Sequence, residues 1–335
     1  MQQRPLGKTG LSVSALGFGA GAVGGLMVRG NHTEQTAAVA RALDAGVTYF
    51  DTAPSYGDGR SEENLGRVLR DLGVWRDVVV GTKVRLQPSD LDDPAAAIQR
   101  SCEASLRRLG RDSVDLLQLH NPIAENSQAA ASVQGSSRAL DVETVCGPVA
   151  DGMGRLVSRG LVRHIGITGL GQTAAVHGII TSGTFATMQA YFNALNPSGG
   201  HPGAGGGEQD FAGLIGAAAA AGVGVIAIRV MAAGALSAQA GKHANAGDPG
   251  PQLAAGAEYQ RDVERASAIR RLAADLGYDG PMELALRFAL ATRGISTVLV
   301  GYSDRGQLED ALRWTERGPV PGDAAARVVD LARAP

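Results

Sequence analysis

The sequence predicts an α/β protein folded as a single (β/α)8 TIM barrel over residues 1–335, with an N-terminal β-hairpin cap and long loops after some strands. Three observations lead there. Short apolar runs, often β-branched, recur eight times, and each is too hydrophobic to keep one face in water, as strands covered on both sides must be. Each run is followed by a longer amphipathic stretch, the βα alternation of a parallel sheet. No proline-rich or low-complexity linker divides the chain, which favours one closed barrel over two doubly wound halves.

In chain order, residues 4–14, with Gly7 and Gly10, form the hairpin at the barrel floor. Strands are expected at 15–19, 47–51, 78–83, 114–120, 163–168, 184–190, 223–229 and 296–301. The helix at 33–45 starts on a Thr-Glu capping signal. The helix at 61–72 carries Glu62 and Glu63 in its first turn, and the one at 93–108 opens on Asp-Asp-Pro and closes on basic residues before Gly110. Charges so placed match the helix dipole. Further helices are expected at 142–159, 172–182, 210–221, 259–276 and 305–316, with an extra one at 281–292 before the last strand. Two loops are long: 194–209, with six glycines, and 237–258, rich in Ala, Gly and Pro. Both follow strands, where loops frame a barrel's active site.

Lys and Arg number 31 against 33 Asp and Glu, so no basic field is available to hold nucleic acid or an anionic membrane. A small-molecule partner is expected, and the oligomeric state is left open. Cys102 and Cys146 lie far apart in stretches that read as helical, unlike a secreted disulfide framework. No stretch of 18 apolar residues occurs, and the polar N-terminus lacks a signal-peptide core. A cytoplasmic location is the expectation.

Gly19, Gly21 and Gly24 have the G-x-G-x-x-G spacing of a dinucleotide-binding loop, with Asp51 ending the next strand. In that motif the third glycine lies in the first turn of a helix whose N-terminus holds the pyrophosphate. The first clear helix start is instead Thr33, so residues 19–32 read as a flexible loop over the barrel mouth.

The stronger signal is distributed. Asp51, Lys83 and His120 end strands two, three and four, and Tyr56 follows in Asp-Thr-Ala-Pro-Ser-Tyr-Gly. In a barrel those ends converge on the catalytic face. A phenol with a pKa of about 10 is a weak acid or base at neutral pH, and an adjacent ammonium such as Lys83 brings it toward the working range. A buried lysine needs a carboxylate partner, which Asp51 is placed to be. His120 is then free to orient a carbonyl oxygen. Each residue alone also has a structural reading: Asp51 a turn cap, Tyr56 rim packing, Lys83 an outward-reaching chain, His120 a satisfied histidine beside Asn121 and Pro122. All four together are hard to explain structurally.

With these residues in view, the sequence resembles the aldo-keto reductase superfamily over nearly its whole length, from Leu6-Gly7 to Gly301. The segments that carry the likeness are Phe50-Asp51-Thr52-Ala53, Tyr56-Gly57, Ser61-Glu62, Leu65-Gly66 and the run from Asp115 to His120. Ile165-Gly166-Ile167-Thr168 resembles the family's fifth strand, Gln189 with Asn193 its sixth, and Gly222 to Ala227 its seventh. The resemblance implies that Asp51, Tyr56, Lys83 and His120 form the catalytic tetrad. It also implies an extended NADP or NAD cofactor held without a Rossmann domain, and hydride transfer with the tyrosine protonating the carbonyl oxygen. The variant Ile165–Leu170 looks like the branch containing L-galactose, D-threo-aldose and pyridoxal dehydrogenases, which implies a polyhydroxylated or heterocyclic substrate.

There are departures. Thr168-Gly169 stands where the family often has Ser-Asn, leaving Thr168 and Gln189 as the expected carboxamide donors. Ile228 replaces a frequent aromatic, and Arg229 after it is expected to meet the pyrophosphate or to pair internally. The stretch Gly301-Tyr302-Ser303-Asp304-Arg305-Gly306-Gln307, with Asp310 beyond, resembles the adenosine-phosphate segment, so Gly301, Ser303, Arg305, Gln307 and Asp310 complete the cofactor candidates. Arg305 and Ser303 lean toward NADP, while Asp304 and Ala311 pull the other way. Two rival functions stay open: a cofactor-binding barrel that has lost turnover, and a metal-dependent hydrolase, against which the six histidines show no H-x-H or H-x-x-x-H pair and no metal ligands are assigned.

Overall fold

Eight parallel strands close on themselves in the computed structural model, which describes residues 1–132, 139–240, 243–250 and 253–333. A hairpin of β1 (Gln3–Pro5) and β2 (Ser12–Ser14) leads in. The first barrel strands are β3 (Leu16–Gly19), β4 (Tyr49–Asp51), β5 (Val79–Val84) and β6 (Val114–Leu119). A short side pair, β7 (Ile123–Ala124) with β8 (Leu140–Asp141), follows. The barrel then completes with β9 (Val162–Gly169), β10 (Thr187–Tyr191), β11 (Gly224–Ile228) and β12 (Ile295–Gly301), which pairs back onto β3. Every barrel pairing is parallel and joins strands consecutive round the ring, the eight-unit βα topology expected from the sequence.

Two apolar layers hold this shape. The larger lies between strands and helices and includes Phe18, Phe50 and Leu65. The smaller fills the lower barrel interior: Tyr49, Val79, Leu116 and Ile226 from the strands meet Leu6, Leu11 and Val13 from the hairpin floor. Tyr49 fits inside because Gly17 and Gly81 flank it; a Cβ at either would stand 2.9 Å from its ring or hydroxyl. Outside the barrel, Thr82 Oγ1 donates to buried Glu62 Oε1 at 2.5 Å, and Arg108 Nε donates to Glu62 Oε2 at 2.6 Å. Glu62 thus ties the third strand to the helices on either side of it.

The helices depart from expectation at identifiable places. Residues 19–32 are not wholly loop: Leu26–Arg29 is a short helix with Leu26, Met27 and Val28 buried, and Gly24 packs so closely that a Cβ would sit 2.6 Å from Tyr302 N. The next helix, His32–Asp44, is capped by Asn31 with Glu34 rather than by Thr33. The segment 142–159 is broken into Val142–Thr144, a π-turn at Val145–Val149 and Ala150–Ser158, because Pro148 has no N–H to give and Gly147 leaves helical geometry. The helix expected from 210 begins only at Leu214, after Gly213 in the left-handed region. Gly322–Arg333 is a further C-terminal helix that the periodicity reading passed over.

The two long loops are laced together. Residues 194–209 bury Asn196 and Ser198, and Ser198 Oγ donates to Asn196 Oδ1 at 2.6 Å. Of the loop expected at 237–258, positions 241, 242, 251 and 252 lie outside the described residues, and its start is the turn-rich segment Ala232–Ala240. Gln209 N donates to Ala255 O at 2.9 Å, and Ala255 N returns to Gln209 Oε1 at 3.0 Å. Beside them Glu208, its side chain buried, accepts from Arg265 at 3.0 Å and Arg261 at 3.3 Å, with Asp262 alongside.

Burial and the neighbouring Glu208 push the Asp262 carboxyl up to about 7. The folded protein therefore keeps a proton that the unfolded chain releases between about 3.8 and 7, and stability falls as pH rises through that window. Asp262→Asn is expected to raise the thermal midpoint at about pH 8, with the gain shrinking toward about pH 5, where Asp262 is itself protonated. An equal effect of the substitution at both pH values would contradict this.

Candidate active site

The period of two along a strand aims Tyr49 and Asp51 of β4, and Gly81 and Lys83 of β5, at the barrel interior. Asp51 is 2% exposed and Lys83 1%. Two opposite charges so deep are stable only together, and the Lys83 ammonium indeed donates to Asp51 Oδ1. A second Lys83 proton goes to Thr52 O at 2.8 Å. The other carboxylate oxygen accepts from Gln189 Nε2 at 2.7 Å and from the Tyr49 hydroxyl at 3.0 Å. Burial works against the Lys83 charge, but Asp51 and then Tyr56 overcome it and hold the ammonium above its usual range. Burial also pushes the Asp51 carboxyl up, against the pull of Lys83, Tyr49 and Gln189.

Above this pair the turn after β4 brings Tyr56 over Lys83, with Nζ 4.8 Å from the ring centroid. His120, immediately past β6, stands edge-on to Tyr56 at 6.2 Å between centroids. All four expected catalytic residues therefore meet at one end of the barrel. Arg85, two residues beyond Lys83, joins them: its Nη2 lies 3.4 Å from His120 Nδ1. A guanidinium has only donors, so Nδ1 is the accepting nitrogen and Nε2 carries the proton of the neutral ring. Burial, Lys83 and Arg85 together hold the His120 pKa well below the ordinary 6.5.

A cavity of about 1830 Å³ opens from this centre. Asp51, Tyr56, Arg85 and His120 line its reactive end. Among the cofactor candidates, Thr168, Gln189, Arg229, Gly301, Ser303, Gln307 and Asp310 also line it, as does Asp304. Arg305 does not; it is 58% exposed and pairs with Glu309 at 3.3 Å. Gln189 spends its amide protons partly on Asp51, so its carboxamide role is narrowed, whereas Thr168 Oγ1 is buried with no hydrogen-bond partner. Arg229 adopts φ 60°, a strained value for a side-chain-bearing residue, and donates to Pro249 O at 2.8 Å. The loop carrying Pro249 crosses the mouth: Gly247 N donates to Val23 O at 2.8 Å and Asn245 Nδ2 to Ser303 O at 3.0 Å. Among the described residues no group of three His, Cys, Asp or Glu is placed to hold a metal ion, and no helix is long and apolar enough to cross a membrane.

The profile of the aldo/keto reductase family matches residues 15–333. The chain belongs to the aldo/keto reductase family. It is thereby an NAD(P)-dependent oxidoreductase of the barrel type. L-galactose dehydrogenase of Arabidopsis thaliana is 30% identical over 314 residues, covering 92% of this chain and 86% of the relative. D-threo-aldose 1-dehydrogenase of a Pseudomonas species is 36% identical over 182 residues, covering 47% of this chain and 54% of the relative. An aldo-keto reductase from Bacillus halodurans, solved in its holo form, superposes with a TM-score of 0.72 at 23% identity, covering 100% of this chain and 97% of that one. That structural likeness speaks to the fold.

Three members of the site were not singled out from the sequence: Arg85, Tyr49 and Gln118. Gln118 pairs in register with Lys83 and keeps both amide atoms buried without a partner. The signal for Tyr49 was available, since it lies two residues before Asp51 and shares its inward face; Arg85 needed the turn after β5, which no periodicity describes. The geometry gives a direct expectation for nuclear magnetic resonance: the His120 ring stays neutral, protonated on Nε2, as pH falls through the ordinary histidine value of 6.5. A ring that charges at or above 6.5 would contradict the arrangement.

Proposed function

We propose that this chain interconverts a carbonyl and an alcohol on a small sugar-like, polyhydroxylated or heterocyclic compound, with Tyr56 as the proton donor or acceptor. The observation that carries the reading is the Lys83 ammonium, locked on Asp51 and lying under the Tyr56 ring. Such a charge stabilises the negative charge that grows on the tyrosine oxygen as its proton moves. His120, neutral with Nε2–H free, donates to the substrate oxygen and fixes the direction in which that oxygen faces Tyr56. Asp51 acts through Lys83, and Gln189 and Tyr49 act through Asp51. The names of the two dehydrogenase relatives support the sugar-like class.

The chain's own residues fit a nicotinamide nucleotide. Thr168, with its buried hydroxyl lacking a partner, is the best candidate to meet the carboxamide, and Gln189 Oε1 the second. Arg229 is assigned to the diphosphate, and Gly301, Ser303, Gln307 and Asp310 to the adenosine end, where a helix begins. When bound, the nicotinamide supplies or accepts the hydride. Both NAD and NADP are proposed as users of the site. Of the two residues that lean toward NADP, Ser303 lines the cavity, but Arg305 is exposed and paired with Glu309, while Asp304 and Asp310 on the cavity wall disfavour a 2′-phosphate.

Tyr56→Phe tests the reading, because it removes the transferable proton and keeps the ring over Lys83. Turnover of a nitrobenzaldehyde or an aldose is expected to fall by about a thousandfold, with NAD(P)H binding by fluorescence titration little changed. Retention of more than about a tenth of the rate would overturn Tyr56 as the acid-base group.

A further inference from the structure

Resting on the oxidoreductase reading above, we infer that Arg85 is an anion anchor, and that the substrate carries a carboxylate or phosphate group a few bonds from its reacting carbonyl. Four sheltered arginines each face a carboxylate, whereas partly buried Arg4 donates to the carbonyls of Leu290 and Ile295 and Arg229 to that of Pro249. Arg108 is paired with Glu62, Arg265 with Glu208, Arg287 with Glu283 and Arg111 with Asp115. Arg85, also partly buried, has no carboxylate partner among the described residues. Its polar contact is the long one to His120 Nδ1, and its Nε is buried with no hydrogen-bond partner at all. Burial correspondingly lowers the tendency of the guanidinium to stay charged. A partly desolvated guanidinium without a counter-ion is costly, and the cost falls when an oxyanion arrives.

Among the described residues at the reactive end of the cavity, no carboxylate is left to supply that negative charge. The Asp51 carboxylate is already matched by Lys83, and His120 is neutral. Asp248 lies on the loop that crosses the mouth, and Asp304 and Asp310 sit at the helix after β12, three strands round the barrel from β5. Among the described residues Arg85 is thus a cation of the reactive end that faces no carboxylate. Because the guanidinium lies 3.4 Å from the far nitrogen of the imidazole whose Nε2 is assigned to the substrate oxygen, an anion on Arg85 shares the reactive end of the cavity with the reacting carbonyl. The planar fork of an arginine suits two oxygens of one carboxylate or phosphate.

The test compares matched pairs: succinic semialdehyde against butanal, and glyceraldehyde 3-phosphate against glyceraldehyde. In the wild type kcat/KM is expected to favour the anionic member of at least one pair by about thirtyfold, the scale of one charge-assisted contact. The pair that shows it tells carboxylate from phosphate. In Arg85→Met that ratio is expected to collapse toward one, and Arg85→Lys is expected to keep part of it. A wild-type ratio near one for both pairs overturns the proposal. So does an Arg85→Met variant that slows both members of a pair equally, which would leave Arg85 only orienting His120. Calorimetric titration of unreactive succinate and glycerol 3-phosphate runs independently of turnover. Binding that Arg85→Met abolishes upholds the anchor even if no aldehyde is reduced, in which case the oxidoreductase reading alone fails. Equal binding to both proteins, or none to the wild type, removes the anchor.

Discussion

The arrangement depends on one buried ion pair. Lys83 and Asp51 sit near the barrel axis, where an unpaired charge of either sign would cost several kcal/mol, and each is tolerable only because the other is there. Their contact is reinforced on every side: Thr52 O takes a second ammonium proton, and Gln189 and Tyr49 satisfy the second carboxylate oxygen. A half-satisfied pair at this depth would be worse than an apolar core. The satisfied one fixes an ammonium beneath Tyr56 and leaves nothing else in the interior for it to neutralise.

The barrel makes that pair possible and the pair explains details of the barrel. Adjacent parallel strands in register bring Asp51 beside Gly81 and place Lys83 one inward position higher. The absence of a side chain at Gly17 and Gly81 admits Tyr49, whose ring completes the apolar plug below while its hydroxyl reaches the polar layer above. One residue thus marks the boundary between the part of the interior that holds the fold and the part that does chemistry. The same division recurs outside: Glu62 holds Thr82 and Arg108 so that β5, which carries Lys83, is pinned from the back.

Much of this was legible in the residues. Eight apolar runs, buried on both faces except at the start of β9, specify parallel strands, and every barrel strand lies within about three residues of its expected position because strand burial is written directly into composition. The tetrad was legible because Asp51, Lys83 and His120 all fall at strand ends, which a barrel gathers on one face. What was hidden depends on contacts that have no period. The buried short helix at Leu26–Arg29 is held by packing against the loop after β12, so it carries no long amphipathic pattern. The break at Pro148 lies inside an otherwise helical stretch. Arg305 looked like a phosphate reader because of its position after the last strand, yet Glu309, one helical turn on, draws it to the surface. Arg85 escaped notice since a turn residue's neighbours are set by another strand altogether.

If the ion pair acts as one unit on Tyr56, its two halves are not independent. The decisive measurement is a double-substitution cycle on kcat for carbonyl reduction, using Lys83→Met, Asp51→Asn and the two together. Lys83→Met is expected to be the more damaging single change, and the double variant no slower than Lys83→Met alone, because Asp51 works only through the ammonium. Losses that multiply in the double variant, or an Asp51→Asn loss exceeding that of Lys83→Met, would contradict the account.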